Sequence, residues 1–351
     1  MVILRKEVFD AFMNPSREGL QSALQQAIQL EHATIPPYLY AYYSIKQDSN
    51  DQIRELLLSV VKEEMLHMAL VCNILNAIGG TPSIDDPSII PTYPGPLPGA
   101  VEEGLQVPLA PFSLSLVKDI FMEIEQPEVP INFRVLAAGA GTPTTIGHFY
   151  RTIKNQIQQL GSDLFVDPTD QRGRQVTSSF WGSSLIKVAN VDTAVQAIET
   201  IVEQGEGTST SPEVEHDQLK EVAHYYRFKE IFLGKTLQPN PNANEHTPPD
   251  QRFFYGDPPI VFNQDGVLPL LENPKTSVYP ENSPARQACD AFNVAYTDIL
   301  HKLHNVFNGQ PHTLGMSITK MSELSNLAFK LVTIDVGDGK KAGPSFEFIP
   351  R

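Results

Sequence analysis

The sequence is poor in cysteine and in positive charge and has no long apolar run, and each shortage excludes a class of protein. Cysteine occurs only at Cys72 and Cys289, which excludes a disulfide-rich scaffold and favours two reduced, buried thiols over a single bridge. No apolar run reaches the roughly 18 residues of a membrane span, and MVILRKEVFD lacks a signal-peptide core. The formal net charge of −15 argues against nucleic acids and anionic membranes as partners. We therefore expect a cytoplasmic protein.

The composition and the spacing of apolar residues are those of a packed helical protein. Hydrophobic residues make up 41% of the 351 residues and charged residues 19%, enough for a large core. Apolar residues recur at intervals of three and four, which is typical of amphipathic helices. Pro36 and Pro37 interrupt the first pattern, so we expect that helix to kink or restart there. The predicted helices cover residues 16–45, 51–78, 113–126, 145–160, 191–204, 215–234, 284–308 and 316–332.

Proline-rich segments divide the chain into regions. Residues 80–111 form an irregular insertion that mixes prolines with Ile, Leu and Tyr, which is typical of an ordered surface excursion. A second Pro/Asn-rich stretch follows Gly234 and marks a boundary. We predict an all-α fold whose first domain, a metal-binding helical bundle, covers 1–235. A linker at 236–283 and a C-terminal helical hairpin at 284–351 complete the chain.

Two of the predicted helices carry a carboxylate where a leucine would be expected. In the second helix, Glu64 occupies a position of the apolar stripe and His67 lies one turn further on. In the first helix, Glu31 takes the corresponding position of its own stripe. Glu63 falls off the stripe and is expected to face solvent. A buried, unpaired carboxylate costs several kcal/mol, so Glu31 and Glu64 each need a proton, a cation or a metal.

The sequence favours a metal over a structural ion pair. The stripes of these two helices contain no lysine or arginine, since Lys62 and Arg54 fall on other faces. A Glu on one helix together with Glu-x-x-His on the next is the half-site of a dinuclear carboxylate centre in a four-helix bundle. The alternative, carboxylates that are protonated or paired with basic groups, would need partners from elsewhere in the chain.

The second half of such a centre is less well defined by pattern. Glu199 and Glu206 flank the apolar face of their helix, and Glu203 lies slightly further round. The helix around His224 is apolar on more than one side, so periodicity does not orient this imidazole. His148 lies opposite the apolar face of its helix, as surface or interface histidines do. Either Glu123 or Glu125 of MEIEQPE is a further candidate.

Several linked motifs resemble those of one family. These are LEHATIPPYLYAYYSI, KEEMLHMALVCNILNAIGGTP, IGHFYRTI, IVEQGEG, HYYRFKEI and AGPSFEFIP. Together they are similar to the ferritin-like proteins of the iminophenyl-pyruvate dimer synthase type. That family is named for an enzyme of violacein biosynthesis that couples two imines derived from tryptophan. The resemblance implies a ferritin-like four-helix bundle with Glu31, Glu64 and His67 as metal ligands. It brings forward Glu203 or Glu206 of EQGEG and His224 as the other half, and His148 is a further candidate ligand.

The family would carry a Glu where this chain has His148. An imidazole binds divalent metals but removes a negative charge and a bridging group. One ion, an unequal pair and a metal other than iron all stay open. The resemblance implies an iron-dependent oxidoreductase that uses dioxygen or peroxide on a small, amino-acid-derived substrate in secondary metabolism. The alternative is a non-catalytic, iron-storage-like protein. No catalytic residue and no organic cofactor are assigned, and the oligomeric state, a homo-oligomer included, is open.

Overall fold

Eight helical segments dominate the part of the chain that the structure describes. The computed structural model describes residues 15–98, 104–127, 145–167, 174–177, 184–208, 211–214 and 221–350. Helix α3 is composite, with a π-helical turn, Val117–Phe121, between two short α-helical pieces, Leu114–Leu116 and Met122–Ile124. The other helices are α1 (Arg17–Ser44), α2 (Asp51–Ala77), α4 (Ile146–Leu160), α5 (Val191–Glu206), α6 (His224–Leu233), α7 (Pro284–Phe307) and α8 (Leu314–Leu331).

Helix α1 runs without a break through both of its prolines. It begins where the side chain of Ser16 accepts a hydrogen bond from the backbone N–H of Gly19. Pro37 has no N–H to donate to the carbonyl of Ala33, four residues earlier. The hydroxyl of Tyr93, in the Pro-rich insertion, donates to that carbonyl over 2.8 Å instead. The predicted restart is therefore wrong, because a tertiary contact replaces the missing backbone bond.

Helices α1, α2, α4 and α5 form the bundle, arranged as two pairs. Helix α1 packs along α2 and α4 packs along α5, while α2 also contacts α5 and α1 contacts α4. Helix α6 contacts α2, α3 and α5. One apolar core runs through all of these elements and continues into the C-terminal hairpin. The centre of the bundle is therefore enclosed by α3 and α6 as well as by the four long helices.

The segments outside the bundle contain short strands. After α6, strands β1 (Lys235–Pro239) and β2 (Phe253–Pro259) pair as an antiparallel hairpin. Strands β3 (Asp335–Gly337) and β4 (Lys340–Lys341) form a second antiparallel pair. The predicted linker thus includes most of the first hairpin, and the predicted domain boundaries stay predictions. Among the described residues, no helix is both long enough and apolar enough to cross a membrane.

Helix α6 begins later than its apolar pattern predicted. The pattern placed a helix over 215–234, but the backbone of residues 221–223 is not helical and the helix starts at His224. Val222 instead forms an antiparallel bridge with Glu213. Residues 215–220 lie outside the described part of the chain. Starting the helix at His224 places this imidazole in the first turn, at the centre of the bundle.

Candidate metal centre

Five buried carboxylate and imidazole side chains meet between the helices. They form two groups that share Glu64. The first, here called the α1–α2 group, consists of Glu31, Glu64 and His67, and the second, the α3–α6 group, consists of Glu64, Glu125 and His224. Within each group the candidate ligand atoms all lie within 4.8 Å of one another. Each of the five residues is at most 7% exposed, so their charges must be balanced inside the protein.

Glu125 owes its position to the π-helical turn of α3. A π turn holds an extra residue and changes which side chains share a face. Glu125 follows the end of α3 directly, as its C-cap residue. Its carboxylate accepts a hydrogen bond of 2.6 Å from the hydroxyl of Tyr38 in α1. This bond fixes one oxygen and leaves the other, Oε2, facing His224.

The ring of His67 is oriented by Gln204 of α5. Its Nε2 lies 2.9 Å from Oε1 of Gln204, which can only accept. Nε2 therefore carries the proton in the neutral ring, and the lone pair is on Nδ1. Nδ1 lies 3.5 Å from Glu31 Oε2 and 3.9 Å from Glu64 Oε1. The lone pair thus points toward the two carboxylates of the α1–α2 group.

The ring of His224 is oriented in the same way, but by a charged acceptor. Its Nε2 lies 2.8 Å from Oε2 of Glu63. Its Nδ1 lies 2.9 Å from Glu64 Oε1 and 3.5 Å from Glu125 Oε2. Among the described residues this buried Nδ1 has no hydrogen bond of acceptable geometry. An imidazole nitrogen that lies close to two carboxylates, on a ring whose other nitrogen is held by a further carboxylate, is the arrangement of a metal-ligating histidine once the ring has lost its proton.

Glu63 belongs to a buried ion-pair network, so the expectation that it faces solvent is wrong. Nη2 of Arg227 lies 3.0 Å from Glu63 and 3.0 Å from Glu221, and Nη1 donates to the hydroxyl of Ser59 over 2.9 Å. Burial favours the neutral form of Glu63, but Arg227 and His224 outweigh it and hold its pKa well below the usual range. Glu63 is therefore a permanent anion behind His224.

Hydroxyl groups hold the other ligand carboxylates. Tyr150 of α4 donates a short hydrogen bond to Oε1 of Glu31. The hydroxyl of Thr34, one turn from Glu31, donates to Oε2 of Glu64 over 2.6 Å. Each of these bonds occupies one carboxylate oxygen and leaves the second oxygen directed at an imidazole. The free oxygens of Glu31 and Glu64 are therefore available to a cation.

Burial disfavours the charged forms of the candidate ligands and shifts their pKa values accordingly. It raises the pKa of Glu31 to about 7, against the opposing hydrogen bond from Tyr150. It also raises the pKa values of Glu64 and Glu125, where repulsion between carboxylates adds to the effect, and it lowers the pKa of His67. Burial opposes protonation of His224, but Glu125, Glu63 and Glu64 outweigh it and raise this pKa well above its usual value. In the absence of a metal, bound protons therefore balance the negative charge of these carboxylates.

The donor set fits a divalent transition metal. Carboxylate oxygen and imidazole nitrogen in a helical bundle are the ligands of iron and manganese centres, and they also suit other divalent ions. Nε2 of His224 is held by the carboxylate of Glu63, which matches the carboxylate–histidine–metal pattern, and Nε2 of His67 is held by the neutral amide oxygen of Gln204. Glu64 belongs to both groups and would be a ligand of an ion bound in either one.

A small internal cavity adjoins the ligands and a larger pocket lies beyond it. The cavity has a volume of about 30 Å³ and is lined by ligands of both groups and by Glu206. The outer pocket, about 440 Å³, contains Arg151 and Lys154. Val202 and Glu206 line both spaces. The carboxylate of Glu206 lies against Gly147 and 2.7 Å from Arg151, so it stands between the outer pocket and the metal centre.

The structure brings together four of the seven ligands predicted from the sequence. Glu31, Glu64, His67 and His224 lie in the two groups. The remaining three lie on α4 and α5 outside both groups. Their ligand role stays a prediction. Glu206 is buried and paired with Arg151, Glu203 lines the outer pocket, and the side chain of His148 is exposed.

The ligand that pattern did not select is Glu125. The sequence offers either Glu123 or Glu125 of MEIEQPE as a candidate, and the π turn just before them breaks the 100° period that would orient them. The orienting residues Gln204 and Tyr150 were also missed. Their signal was a polar group on an otherwise apolar helix face near the centre of the bundle.

The fold and the centre define the class of this protein, and sequence comparison agrees. The profile of the Ferritin-like family matches residues 24–233, which include all five clustered ligands. The chain belongs to the Ferritin-like family. A ferritin-like protein from Caulobacter vibrioides has the same fold, with a TM-score of 0.58 and 23% identity over 93% of this chain and 96% of that one.

Two curated relatives extend the comparison to longer proteins. Dichlorochromopyrrolate synthase from Lentzea aerocolonigenes is 26% identical over 96% of this chain and 37% of its own length. The 2-imino-3-(indol-3-yl)propanoate dimerase from Chromobacterium violaceum is 27% identical over 64% of this chain and 24% of its own length. The chain therefore spans less than two fifths of the length of these relatives, and the matched part lies in proteins that act on small organic molecules.

Proposed function

We propose that the protein is a metal-dependent oxidoreductase, with iron as the metal, that acts on a small, amino-acid-derived molecule. The observation that carries the proposal is the pair of buried ligand groups joined through Glu64. Carboxylates at this depth need a proton or a cation, and Nδ1 of both His67 and His224 is directed toward them. The names of the two curated relatives support the substrate class.

The chain's own residues would hold the metal and control its surroundings. Glu31 and His67 would bind on one side, Glu125 and His224 on the other, with Glu64 between them. Bound iron would supply electron transfer to dioxygen or peroxide. Tyr150, which donates to Glu31, is placed to hold a proton beside the centre. The apolar walls around these residues exclude water.

The outer pocket favours an enzyme over a storage protein. Its volume of about 440 Å³ suits a small organic molecule. Its lining carries charges of both signs, with Arg151 paired to Glu206, Lys154 paired to Glu199, and Glu203 as a further carboxylate. A substrate with both a carboxylate and an amine or imine would find groups of opposite charge for each end. Storage of iron would require no pocket of this kind.

Metal content tests the proposal most directly. The purified protein should contain transition metal by elemental analysis, and Glu64→Ala should lose it because both groups contain Glu64. Glu55→Ala, an exposed position on the same helix, is the matched control and should retain the metal. If Glu64→Ala lowers the yield of folded protein, Glu64→Gln preserves the shape and gives the same readout. Unchanged metal content in a folded Glu64 variant would overturn the ligand assignment.

A second measurement separates oxidoreductase from storage. An oxidoreductase binds at most two ions per chain at this centre and consumes dioxygen or peroxide only when a substrate is present. A storage protein takes up many ions per chain and needs no organic molecule. Iron titration with simultaneous oxygen measurement, with and without an aromatic amino or imino acid, distinguishes the two. Uptake far beyond two ions would contradict the proposal.

A further inference from the structure

A second cavity lies on a different face of α1 and α2, where the C-terminal hairpin packs against the bundle. It has a volume of about 480 Å³ and is enclosed by α1, α2, α7 and α8. The metal ligands Glu31 and His67 face the centre of the bundle, whereas their neighbours His32 and Met68 line this second cavity. The two sites therefore use different sides of the same helices.

The walls of this cavity are apolar, aromatic and rich in sulfur. Three of the protein's seven methionines, Met65, Met68 and Met321, line it together with the rings of Tyr43 and Tyr296. Thioethers adapt their shape to an occupant and make favourable contacts with aromatic rings. Among the described residues that line the cavity, only Lys62 carries a full charge, and its side chain is exposed. A charged ligand would therefore lack a buried partner.

One polar pair lies at the buried end of this cavity. Nε2 of His32 lies 2.7 Å from the hydroxyl of Tyr296, and the two residues are 6% and 5% exposed. A tyrosine hydroxyl has one donor and two acceptor positions. The contact with His32 uses one of them, so the oxygen of Tyr296 can still accept a hydrogen bond from a ligand. The cavity thus offers a large apolar surface with a buried polar group at Tyr296, and small-molecule sites combine these two features.

We propose that this cavity is a binding site for an uncharged aromatic molecule that carries one hydrogen-bond donor. Its volume lies in the range of small-molecule sites. Water is a poor occupant of such a space, because a bound water needs two to four polar partners and these walls offer few. Rings from the ligand would pack against the methionines, and its donor would reach Tyr296. The site is independent of the metal centre and of the proposed function.

Binding can be tested with N-phenyl-1-naphthylamine, an uncharged aromatic amine with one N–H, whose fluorescence rises in apolar surroundings. Titration of the purified full chain should show saturable binding at one molecule per chain. Met321→Trp, which fills the cavity from α8, should weaken binding about tenfold or more. The matched control is Met316→Trp on the same helix, since Met316 is 59% exposed and lies outside the cavity. Circular dichroism confirms that both variants are folded.

A second variant tests the buried polar group at Tyr296. Tyr296→Phe keeps the apolar wall and removes the acceptor, so affinity should fall about three- to tenfold, as expected for one neutral hydrogen bond. Unchanged affinity in this variant would overturn the assigned bond. Equal binding by Met321→Trp and wild type, or no saturable binding, would overturn the site. Binding that disappears as sedimentation shows the chain dimerising would identify a second copy as the occupant and likewise overturn the proposal.

Discussion

The two groups of the candidate metal centre contain the same residue types, two glutamates and one histidine, but differ in the residue that holds the histidine from behind. In the α1–α2 group, the neutral amide of Gln204 orients His67. In the α3–α6 group, Glu63 orients His224 and is itself held by Arg227. A carboxylate behind an imidazole makes it more basic than an amide does. The comparison teaches that two groups of the same residue types can be electronically unequal because of residues that touch no metal.

The largest effect is expected from breaking the ion pair behind the α3–α6 group. Arg227→Met removes one of the two cationic partners of Glu63 and leaves only His224, which should lower the free energy of unfolding by about 3 kcal/mol. The control is Arg286→Met, whose partner Asp290 is half exposed, and it should cost less than about 1 kcal/mol. Urea unfolding of both variants measures the difference. Equal, small costs would show that the Arg227 network does not stabilise the α3–α6 group.

The pH dependence of the metal-free protein should reveal the shifted carboxylates. Because the pKa of Glu31 is about 7 when folded and 4.5 otherwise, its contribution to stability is fully present below pH 4.5 and is lost as the pH rises to 7. The displacement corresponds to on the order of 3 kcal/mol, and Glu64 and Glu125 act in the same direction. Thermal unfolding at several pH values measures this loss.

Bound metal should reverse this loss of stability with rising pH. Binding requires deprotonated ligands, so affinity, and with it stability, rises with pH in the loaded protein. Glu31→Gln removes one titrating group and should flatten the metal-free profile between pH 4.5 and 7. A metal-free protein that becomes more stable over this range would contradict the assigned shift of Glu31.

The α1–α2 group is tested by removing the amide behind His67. Gln204→Leu leaves the ring without its fixed acceptor, and metal affinity at the α1–α2 group should fall roughly 10- to 100-fold. Gln196→Leu, exposed on the same helix, should leave affinity unchanged. Calorimetric titration with a divalent metal resolves the two groups, because only one of them should weaken. Equal loss of metal affinity at both groups would show that the two groups do not bind metal independently.

The smallest effect is expected when one matched tyrosine is changed in each group. Tyr150 donates to Glu31 and Tyr38 donates to Glu125. Each Tyr→Phe variant removes one hydrogen bond to a carboxylate and should lower the free energy of unfolding by about 1–3 kcal/mol. Similar losses of unfolding free energy in the two variants would show that the two groups differ only at their histidines. A clearly larger loss at one tyrosine would show that the carboxylates of the two groups differ as well.

Periodicity predicted the parts of the centre that lie on regular helices, whereas the family resemblance alone implied His224. Glu31, Glu64 and His67 lie on long helices with an undisturbed 3.6-residue period, so their common face could be read directly. Glu125 follows a π turn, and His224 begins a helix that a β-bridge precedes. Neither feature leaves a periodic signal. The continuity of α1 was equally hidden, since it depends on a hydroxyl from Tyr93, about 60 residues away along the chain.

Gly147 has a consequence for access to the centre. A Cβ atom added there would lie 2.0 Å from Oε1 of Glu206, so alanine at this position would have to displace that carboxylate. The displaced group is the end of a flexible side chain, and the helices themselves need not separate. A single methyl group would thus move the carboxylate that lies between the outer pocket and the candidate ligands. The position of Glu206 in this opening therefore depends on the absence of a side chain at Gly147.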